Sequence, residues 1–391
     1  MEQYKIAVVG AGFAGLFSSY KLSDMHDVDL YEEHGRVGFP KHCTGLISGE
    51  TYQRIGEPAF KSLRKTYNTI IMEVAGGEEF VFHRSNIAVI VDRVRLEEIL
   101  LKESIVKGVS YYPRCRVHAV GEDGRLVSNC GTRYYDAIII ADGLNGSVSG
   151  SLGVRKNYRR IYGLNLEVGY SHGMNSDSFK IVFNKKYYPG FFAWIIPLDD
   201  GKAVVGAGSS KPLTPDAILK GLNIKGQVRD TYGGIILAGP PEPAPHRGRL
   251  FVLGDAAGLT KPFTGGGLYP NSKIIECMAG KKPSEWSGCM ESVVRELERS
   301  VPIARIFHDD LDEEDLALVF RYIKKTSLGE RLSRFMDYDD HSVLIDEVLS
   351  HRKDSLYILL MFSLKRPLKT LRIMYRVSGL LFQHLPRLHI P

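Results

Sequence analysis

A glycine-rich turn near the N-terminus constrains the fold most strongly. Residues 4–9 read YKIAVV, which predicts a buried parallel strand, and Gly10-Ala-Gly12-Phe-Ala-Gly15 then opens a helix. Such glycines let the backbone turn tightly and approach a pyrophosphate, whose charge is stabilised at the helix N-terminus. Glu32 ends the next predicted strand, where an acid binds both hydroxyls of an adenosine ribose and repels a 2′-phosphate. The sequence therefore predicts a Rossmann-like domain that binds FAD or NAD rather than NADP.

A second glycine-rich segment distinguishes between the two dinucleotides. Residues 250–258 read LFVLGDAAG, and Pro262 and Gly265-Gly-Gly267 follow before a further predicted helix. The carboxylate of Asp255 would meet the ribityl hydroxyls of an extended flavin. The helix N-terminus would reach the N1/O2 edge of the flavin ring. Together with the first motif, this segment favours FAD.

A third motif lies between the other two. Residues 135–143 read YDAIIIADG, a buried strand that ends in Asp142-Gly143. The order GxGxxG, Asp-Gly, Gly-Asp over residues 1–290 resembles the flavoprotein superfamily typified by p-hydroxybenzoate hydroxylase. The resemblance implies an α/β (α+β) protein with a Rossmann-like FAD-binding domain, an antiparallel-sheet substrate domain and a helical C-terminal region. It also implies that the FAD contacts are Gly10, Gly12, Phe13, Ala14, Gly15, Glu32, Glu33, Arg36, Cys43, Thr44, Gly45, Arg93, Val117, Asp142, Gly143, Asp255, Gly266, Gly267 and Leu268.

A fourth segment narrows the resemblance. Residues 189–197 read PGFFAWIIP and resemble the PxxYxWxFP signature of geranylgeranyl reductases, with Phe192 in place of tyrosine and Ile196 in place of phenylalanine. The resemblance implies that Phe192, Trp194 and Pro197 line a channel for an isoprenoid chain. An ordinary sandwich core is the structural alternative, because alternating large side chains also build cores.

The loop PKHCTG at residues 40–45 carries a candidate catalytic residue, Cys43. Geranylgeranyl reductases have a Cys-Gly segment beside the flavin at this place, whereas this chain has Cys-Thr-Gly. The resemblance implies a thiol that either relays the proton that completes alkene reduction or packs against the flavin ring. His42 is expected to be a loop residue rather than a base.

The function implied is that of the geranylgeranyl reductase family: FAD-dependent reduction of isolated C=C bonds in an isoprenoid or prenylated lipid, with hydride from flavin N5. The electron donor stays open between ferredoxin, NAD(P)H and a quinol. One alternative is a flavin monooxygenase or halogenase. Residues 189–197 also resemble the WxWxIP element of halogenases, but no motif marks the lysine that halogenases need, so Lys41 and Lys61 are unassigned candidates. The other alternative is a non-catalytic prenyl-binding protein, like the Rab escort proteins that share this fold.

The predicted elements divide the chain into three parts. Residues 1–154 and 246–290 are expected to form a discontinuous FAD-binding domain. Residues 155–245 carry short β-like runs between turn residues, which is typical of an antiparallel sheet. Residues 291–391 read as helical, and the acidic stretch 291–315, with nine acids and three bases, is expected to end in a solvated face or loop.

Five cysteines without a CxxC pair do not indicate a disulfide framework. Cys115 and Cys130 flank a predicted hairpin and could pair, but two small buried hydrophobic side chains are the favoured interpretation. The N-terminus lacks the pattern of a signal peptide. The uncharged stretches 355–364 and 377–386 are too short to span a bilayer. The protein is therefore expected in the cytoplasm, either away from the membrane or at its surface.

The net charge of +6 lies at the C-terminal end. Residues 351–391 hold eight basic side chains and one acid, so the rest of the chain is close to neutral and nucleic-acid binding is not expected. A helix over 365–385 would present one basic face: Lys365, Lys369, Arg372 and Arg376. Two interpretations stay open: the helix lies on an anionic membrane surface, or it docks on the protein with its basic face in water.

Overall fold

The computed structural model describes residues 2–154, 158–169, 174–198, 201–335, 338–341, 346–347 and 350–383. The chain divides into two compact units, of which unit 1 comprises Met1–Thr66, Ala88–Arg160 and Leu237–Glu298, and unit 2 comprises Tyr67–Ile87, Ile161–Ile236 and Arg299–Pro391. The three functional domains expected from the sequence stay a prediction. The units differ from them in placing residues 67–87 with the second unit.

The secondary structure alternates in unit 1 and is largely β, then α, in unit 2. The helices are α1 Phe13–Leu22, α2 Gly49–Ile55, α3 Glu57–Phe60, α4 Arg93–Val106, α5 Ser147–Ser151, α6 Pro215–Gly221, α7 Leu268–Ala279, α8 Trp286–Arg305, α9 Glu313–Lys324, α10 Ser327–Phe335, α11 Arg352–Lys365 and α12 Pro367–Gln383. The strands are β1 Lys5–Val9, β2 Asp27–Tyr31, β3 Leu46–Ser48, β4 Leu63–Val74, β5 Glu79–Val91, β6 Ser110–Tyr112, β7 Val117–Val120, β8 Arg125–Ser128, β9 Gly131–Tyr134, β10 Ala137–Ile140, β11 Arg159–Gly169, β12 Ser178–Phe183, β13 Ala193–Pro197, β14 Lys202–Ser209, β15 Val228–Ala238, β16 His246–Arg247 and β17 Leu250–Val252.

Unit 1 is built on a sheet of order β16-β17-β10-β1-β2-β6, in which all neighbours from β17 to β6 are parallel. The strands β1 and β10 are buried almost throughout, which explains why they read as continuous apolar runs. The carboxyl ends of parallel strands meet at one edge of a sheet. The register Val9↔Ile140 and Val9↔Tyr31 therefore brings the turn after β1 beside the ends of β10 and β2. The predicted Rossmann-like fold is confirmed.

Unit 2 is built on a second sheet, which includes the order β15-β11-β14-β13-β12-β4-β5. The pairs β11–β14, β14–β13 and β13–β12 are antiparallel as predicted, but β12 pairs with β4 in parallel, so the whole sheet is mixed. The strand β4 precedes the predicted substrate domain in sequence, and no local pattern could place it there. One face of the sheet packs Ala193 and Ile195 into a core with Ile218 of α6.

The acidic segment near residue 310 is only partly solvated, which corrects the expectation of a solvated face or loop: Asp309 and Glu314 are exposed, but two of its acids are not. Asp310 and Asp315 are buried. Cations from the C-terminal helices neutralise them: Arg376 pairs with Asp310, and Arg366 Nε lies 2.7 Å from Asp315 Oδ1. Lys369 pairs with both Asp315 and Asp312. Lys369 and Arg376 on the basic face of α12 thus bind the protein's own acids, and residues 384 and 385 of the helix predicted over 365–385 lie outside the described residues.

Lowering the pH should weaken this ion-pair cluster, because Asp312 becomes protonated. Partial burial disfavours the charge of Asp312, but hydrogen bonds from Lys369 and from the Asp315 N–H outweigh it and lower the pKa of Asp312 to about 2. A free aspartate titrates near ~3.9, so the unfolded chain takes up the proton first. The stabilisation is therefore complete above about pH 4 and is lost as the pH falls toward about 2. Because Asp312 is half exposed, we expect only about 1 kcal/mol.

Denaturant unfolding of the wild type and of Asp312→Asn tests this expectation, since asparagine preserves the N-cap of α9. The difference in unfolding free energy between the two proteins should be present near pH 6 and should shrink near pH 3. An equal difference at both pH values would show that Asp312 is not responsible.

The cysteines form bonds that the sequence did not predict. Cys115 bonds to Cys130, and Cys277 bonds to Cys289. The favoured interpretation of Cys115 and Cys130 as two buried hydrophobic side chains is therefore wrong. The Asn129 N–H donates to the Arg116 carbonyl at 3.0 Å. This contact brings the Cα atoms of Cys115 and Cys130 to within 5.9 Å of each other. Among the described helices, none combines the length and apolarity needed to cross a bilayer.

Candidate functional site

The glycine-rich turn after β1 has the geometry of an anion cradle. Gly10 has φ +98°, and a Cβ there would lie 2.4 Å from the Ala141 carbonyl oxygen. A Cβ on Gly15 would lie 1.8 Å from the Gly10 carbonyl oxygen, whereas one on Gly12 would meet no atom within 4 Å. The first turn of α1, all of which is described, holds no acidic side chain and no side-chain cap. Its N–H groups are therefore open to a phosphate.

Glu32 is fixed at the edge of this turn. The Ala11 N–H donates to Oε2 at 2.7 Å, and the His34 N–H donates to Oε1 at 2.8 Å. The carboxylate is nearly buried and retains lone pairs for the hydroxyls of a ribose. Glu33 and Arg36 lie outside this arrangement. They are exposed, and pair with Arg116 at 3.5 Å and with Glu98 at 3.1 Å, respectively, so their cofactor contacts stay predictions.

Asp142 lies two residues after the end of β10, and among the described residues only one of its two carboxylate oxygens is hydrogen-bonded. Its Oδ2 accepts hydrogen bonds from the Val148 and Ser149 N–H groups at 3.0 Å each. Its Oδ1 is buried and has no hydrogen-bond partner in the part of the chain that is described. Gly143 follows with φ +75°. A buried carboxylate oxygen without a donor fits a ligand hydroxyl or N–H at this edge of the sheet.

Asp255 lies in the turn after β17, which Asn271 ties to the start of α7. Asn271 Oδ1 accepts from the Gly254 N–H at 2.7 Å, and its Nδ2 donates to the Gly267 carbonyl at 2.7 Å. Asp255 Oδ1 lies 3.8 Å from the Cβ position of Gly267. The two halves of the second motif are thus held together. Sequence reasoning missed Asn271, although a buried amide four residues after Gly267 on an apolar helix is a readable signal.

Tyr158 is a second residue that the sequence did not indicate. Its hydroxyl is buried without a hydrogen-bond partner among the described residues. Burial and the nearby charge of Asp255 raise the pKa of Tyr158 to about 12, so it is a neutral donor at neutral pH. Its ring lies 2.6 Å from the Cβ position of Gly258, which therefore must be glycine. A free O–H beside Asp255 is available to a bound ligand.

Cys43 lies in a cluster with two charged residues of α4. The Arg93 guanidinium pairs with Glu97 and lies 5.8 Å from the centre of the Phe13 ring, and the Cys43 thiol is near enough to raise the pKa of Arg93. Burial opposes the charge of Arg93, but Glu97 and Cys43 outweigh it and raise the pKa of the guanidinium. Arg93 Nε is buried without a partner in the described chain. The structure thus brings Phe13, Cys43 and Arg93 together, and it adds Glu97, which the sequence analysis did not consider.

The remaining predicted contacts of unit 1 occupy the same loops and element ends. Thr44 Oγ1 accepts from the Leu46 N–H at 3.3 Å, and the Gly45 N–H lies 3.4 Å from Cys43 Sγ. A Cβ on Gly266 would lie 2.8 Å from Lys261 Cε. Three further residues predicted to contact FAD are buried: Ala14 in α1, Val117 at the start of β7 and Leu268 at the start of α7.

The predicted isoprenoid wall lies in unit 2 and forms an aromatic cluster. Side chains alternate along a strand, so Phe192 and Trp194 lie opposite the face that carries Ala193 and Ile195. The Phe192 ring lies 6.2 Å from Trp194, and Trp194 Nε1 donates to Asn165 Oδ1 at 3.0 Å. Pro197 lies three residues after Trp194, so its side chain is on the opposite face of β13. The structure therefore brings Phe192 and Trp194 together but does not bring Pro197 to their face.

The other candidates have structural roles. Lys61 is half exposed and pairs with Glu103 at 3.2 Å, which does not resemble a buried catalytic lysine. Lys41 makes further contacts of its own. His42 is exposed, with Nδ1 at 2.9 Å from the Pro40 carbonyl, in agreement with its interpretation as a loop residue.

Comparisons with known proteins agree with this geometry. The chain is 26% identical over 363 residues to digeranylgeranylglycerophospholipid reductase 2 of Methanopyrus kandleri, covering 83% of this chain and 86% of that protein. A geranylgeranyl bacteriochlorophyll reductase-like protein of Thermoplasma acidophilum has a similar fold, with a TM-score of 0.71 at 15% identity, covering 90% of this chain and 100% of that one. CmlS, a flavin-dependent halogenase, matches with a TM-score of 0.56 at 17% identity over 89% of this chain and 70% of that one. No family model matches the chain.

These matches confirm the resemblance to geranylgeranyl reductases that the motifs indicated. They also confirm the predictions of an oxidoreductase and of FAD as its cofactor.

Proposed function

We propose that this chain, a homologue of the digeranylgeranylglycerophospholipid reductases and an FAD-dependent oxidoreductase, reduces isolated C=C bonds in the geranylgeranyl chains of a lipid. The observation that carries the proposal is the Cys43–Arg93–Glu97 cluster beside Phe13 of the glycine-rich turn. It supplies a proton source close to a dinucleotide cradle. Reduction of an isolated alkene requires such a proton, whereas binding a prenyl chain without turnover does not.

Residues of unit 1 fit FAD at several separate points. The open N-terminus of α1 would hold the pyrophosphate, and Glu32 the adenosine ribose. The carboxylates of Asp142 and Asp255 would bind hydroxyl or N–H groups of the cofactor, since Asp142 Oδ1 is buried and lacks a donor among the described residues. Tyr158 would add a neutral donor beside Asp255.

The chemistry requires a hydride and a proton. Bound FAD in its reduced form would supply the hydride from N5 to one alkene carbon and be left oxidised, while the other carbon gains a proton. An isolated alkene has no carbonyl to accept charge, so precise positioning and exclusion of water must lower the barrier. Cys43 Sγ–H would donate the proton, and the Arg93 guanidinium would stabilise the thiolate that remains. Glu97 would hold Arg93 in place.

An apolar chain fits the aromatic cluster of unit 2. Phe192 and Trp194 are buried, and the hydrogen bond from the indole to Asn165 fixes the Trp194 ring. The faces of these aromatic rings suit an isoprenoid chain better than a charged aromatic acid. The cluster thereby favours a prenyl substrate over the aromatic substrates of hydroxylases.

Anaerobic turnover tests the proposal directly. The purified protein, reduced with dithionite, is incubated with a lipid that carries geranylgeranyl chains, and the product is analysed by mass spectrometry. Each reduced bond should add about 2 Da, one H2 per double bond. Consumption of O2 with NADPH and an aromatic substrate, without reduction of the lipid, would instead indicate a monooxygenase. A colourless protein that takes up no FAD would contradict the enzyme and favour a prenyl-binding protein.

Removing the thiol should slow catalysis without releasing the cofactor. We expect Cys43→Ser to retain FAD with an unchanged visible spectrum and to lose roughly a hundredfold in turnover, because general acids contribute about 10²–10⁴. Glu97→Gln should lower turnover less and should shift the pH profile, since Glu97 acts through Arg93. Glu103→Gln, on the same helix and paired with Lys61 at the surface, is the matched control. Turnover by Cys43→Ser equal to that of the wild type would remove the thiol from the mechanism.

A further inference from the structure

The last two described helices expose apolar side chains in regular rows. In α11, Leu356, Leu360 and Leu364 are 65%, 56% and 72% exposed. In α12, Leu368, Leu371 and Tyr375 are 81%, 63% and 82% exposed. Their spacing of three or four residues places each row on one side of its helix. We refer to these six residues as the apolar stripe, and half of the large apolar side chains exposed in the described part of the chain lie between residues 356 and 375.

The apolar stripe is exposed because the charged side of α12 is the side that packs. Lys369 and Arg376 pair with Asp315 and Asp310, which are buried. A surface helix of a globular protein ordinarily turns its apolar face inward and its charges outward. Here the orientation is reversed, and charged pairs fix it. Rows of exposed apolar side chains of this kind mark a site of interaction.

The charges around the stripe indicate what covers it. Lys353 and Lys365 are exposed on α11, and Arg372 on α12 is 68% exposed, with Nη1 3.7 Å from Asp310 Oδ1. The one acid of these helices within the described residues, Asp354, accepts hydrogen bonds from Ser327 Oγ and the Leu328 N–H. The surface is therefore apolar with a cationic border. A second copy of the chain is a poor partner, since a two-fold contact would place like charges opposite each other.

We propose that the apolar stripe inserts into the surface of a bilayer that contains anionic lipids, with Lys353, Lys365 and Arg372 at the headgroups. Apolar side chains in the acyl boundary and cations at the headgroups are the two terms that bind an interfacial helix. The face of α12 that meets the membrane is therefore the apolar one, because Lys369 and Arg376 of the basic face are already paired with the protein's own acids. Insertion of the apolar stripe would place the enzyme at the bilayer surface, where a prenylated lipid lies. This role rests on the proposed function.

Sedimentation of the full-length protein with vesicles tests the stripe. The vesicles contain equal parts of phosphatidylglycerol and phosphatidylcholine, and pure phosphatidylcholine vesicles are compared. The triple variant Leu360→Gln, Leu364→Gln, Leu371→Gln should lower the partition coefficient about a hundredfold. The double variant Lys353→Gln, Lys365→Gln should lower it about twentyfold on the anionic vesicles and leave it unchanged on the neutral ones.

A matched control removes three exposed apolar side chains elsewhere: Ile105→Gln, Val106→Gln and Tyr134→Gln. It should bind vesicles like the wild type. FAD content of every variant checks that the fold is intact. Failure of the wild type to bind anionic vesicles, or equal binding by the triple variant, would overturn the proposal. A wild-type dimer that the triple variant dissociates would overturn it in favour of a second copy. Binding needs no turnover, so failure of the reductase assay leaves this result unaffected.

Discussion

Gly12→Ala should produce a folded protein that no longer retains FAD. A Cβ at Gly12 meets no protein atom within 4 Å, and the backbone there has φ −78°, which alanine adopts without strain. The added methyl group projects into the space where a pyrophosphate would approach the N–H groups of α1. Each charge-assisted hydrogen bond that is lost costs about 1.5–3 kcal/mol. We therefore expect FAD affinity to fall by roughly a hundredfold, with little change in the free energy of unfolding.

Gly15→Ala should act on the fold itself. Its Cβ would lie 1.8 Å from the Gly10 carbonyl oxygen, which belongs to the backbone and cannot rotate away. Overpacking of this kind costs about 1–3 kcal/mol or more. Gly288→Ala is the control, since it lies in α8, is exposed and has open space around its Cβ, and should stabilise by about 0.5–1 kcal/mol. FAD occupancy by absorbance and unfolding by denaturant separate the three outcomes. Full FAD retention by Gly12→Ala would mean that the pyrophosphate does not approach this turn.

Trp194 should affect stability and lipid turnover together. Trp194→Ala removes a buried ring and its hydrogen bond to Asn165, which should cost about 3–5 kcal/mol of unfolding free energy. Trp194→Phe preserves an aromatic ring, so it should fold, retain FAD and still lose about ten- to a hundredfold in prenyl-lipid turnover, because the wall of the proposed channel is displaced.

Tyr188→Phe is the matched control for Trp194→Phe. Tyr188 is fully buried in unit 2, packs with the core on the opposite face of the sheet and donates to the Ile218 carbonyl at 2.8 Å. Loss of this hydrogen bond should lower the free energy of unfolding by about 1 kcal/mol and should not affect turnover. A similar loss of turnover in both variants would show that Trp194 is a core residue and not part of a substrate channel.

The site residues of unit 1 were readable because short motifs determine them locally. Gly15 is required by the nearby Gly10 carbonyl, and Gly10 and Gly143 by their own positive φ of +98° and +75°, although the contact of Gly10 with Ala141 is long-range. The partners that hold the site are different. Asn271 connects two turns 13 residues apart, Gly254 and Gly267, and Tyr158 meets Gly258 from a segment a hundred residues away. No local sequence pattern predicts such contacts, because they form only once the strands have assembled into the sheet.

The sequence by itself determined the Rossmann-like fold, the FAD cradle and the likeness to geranylgeranyl reductases, because spaced glycines and strand-end acids fulfil strict local requirements. Only the tertiary structure decided the cysteine bonds, the parallel pairing of β12 with β4 and the environment of the acids near residue 310. It also decided the orientation of α12. A helical pattern shows that a helix has a basic side and an apolar side. Which side turns inward depends on what it meets, and here it meets the carboxylates of Asp310 and Asp315.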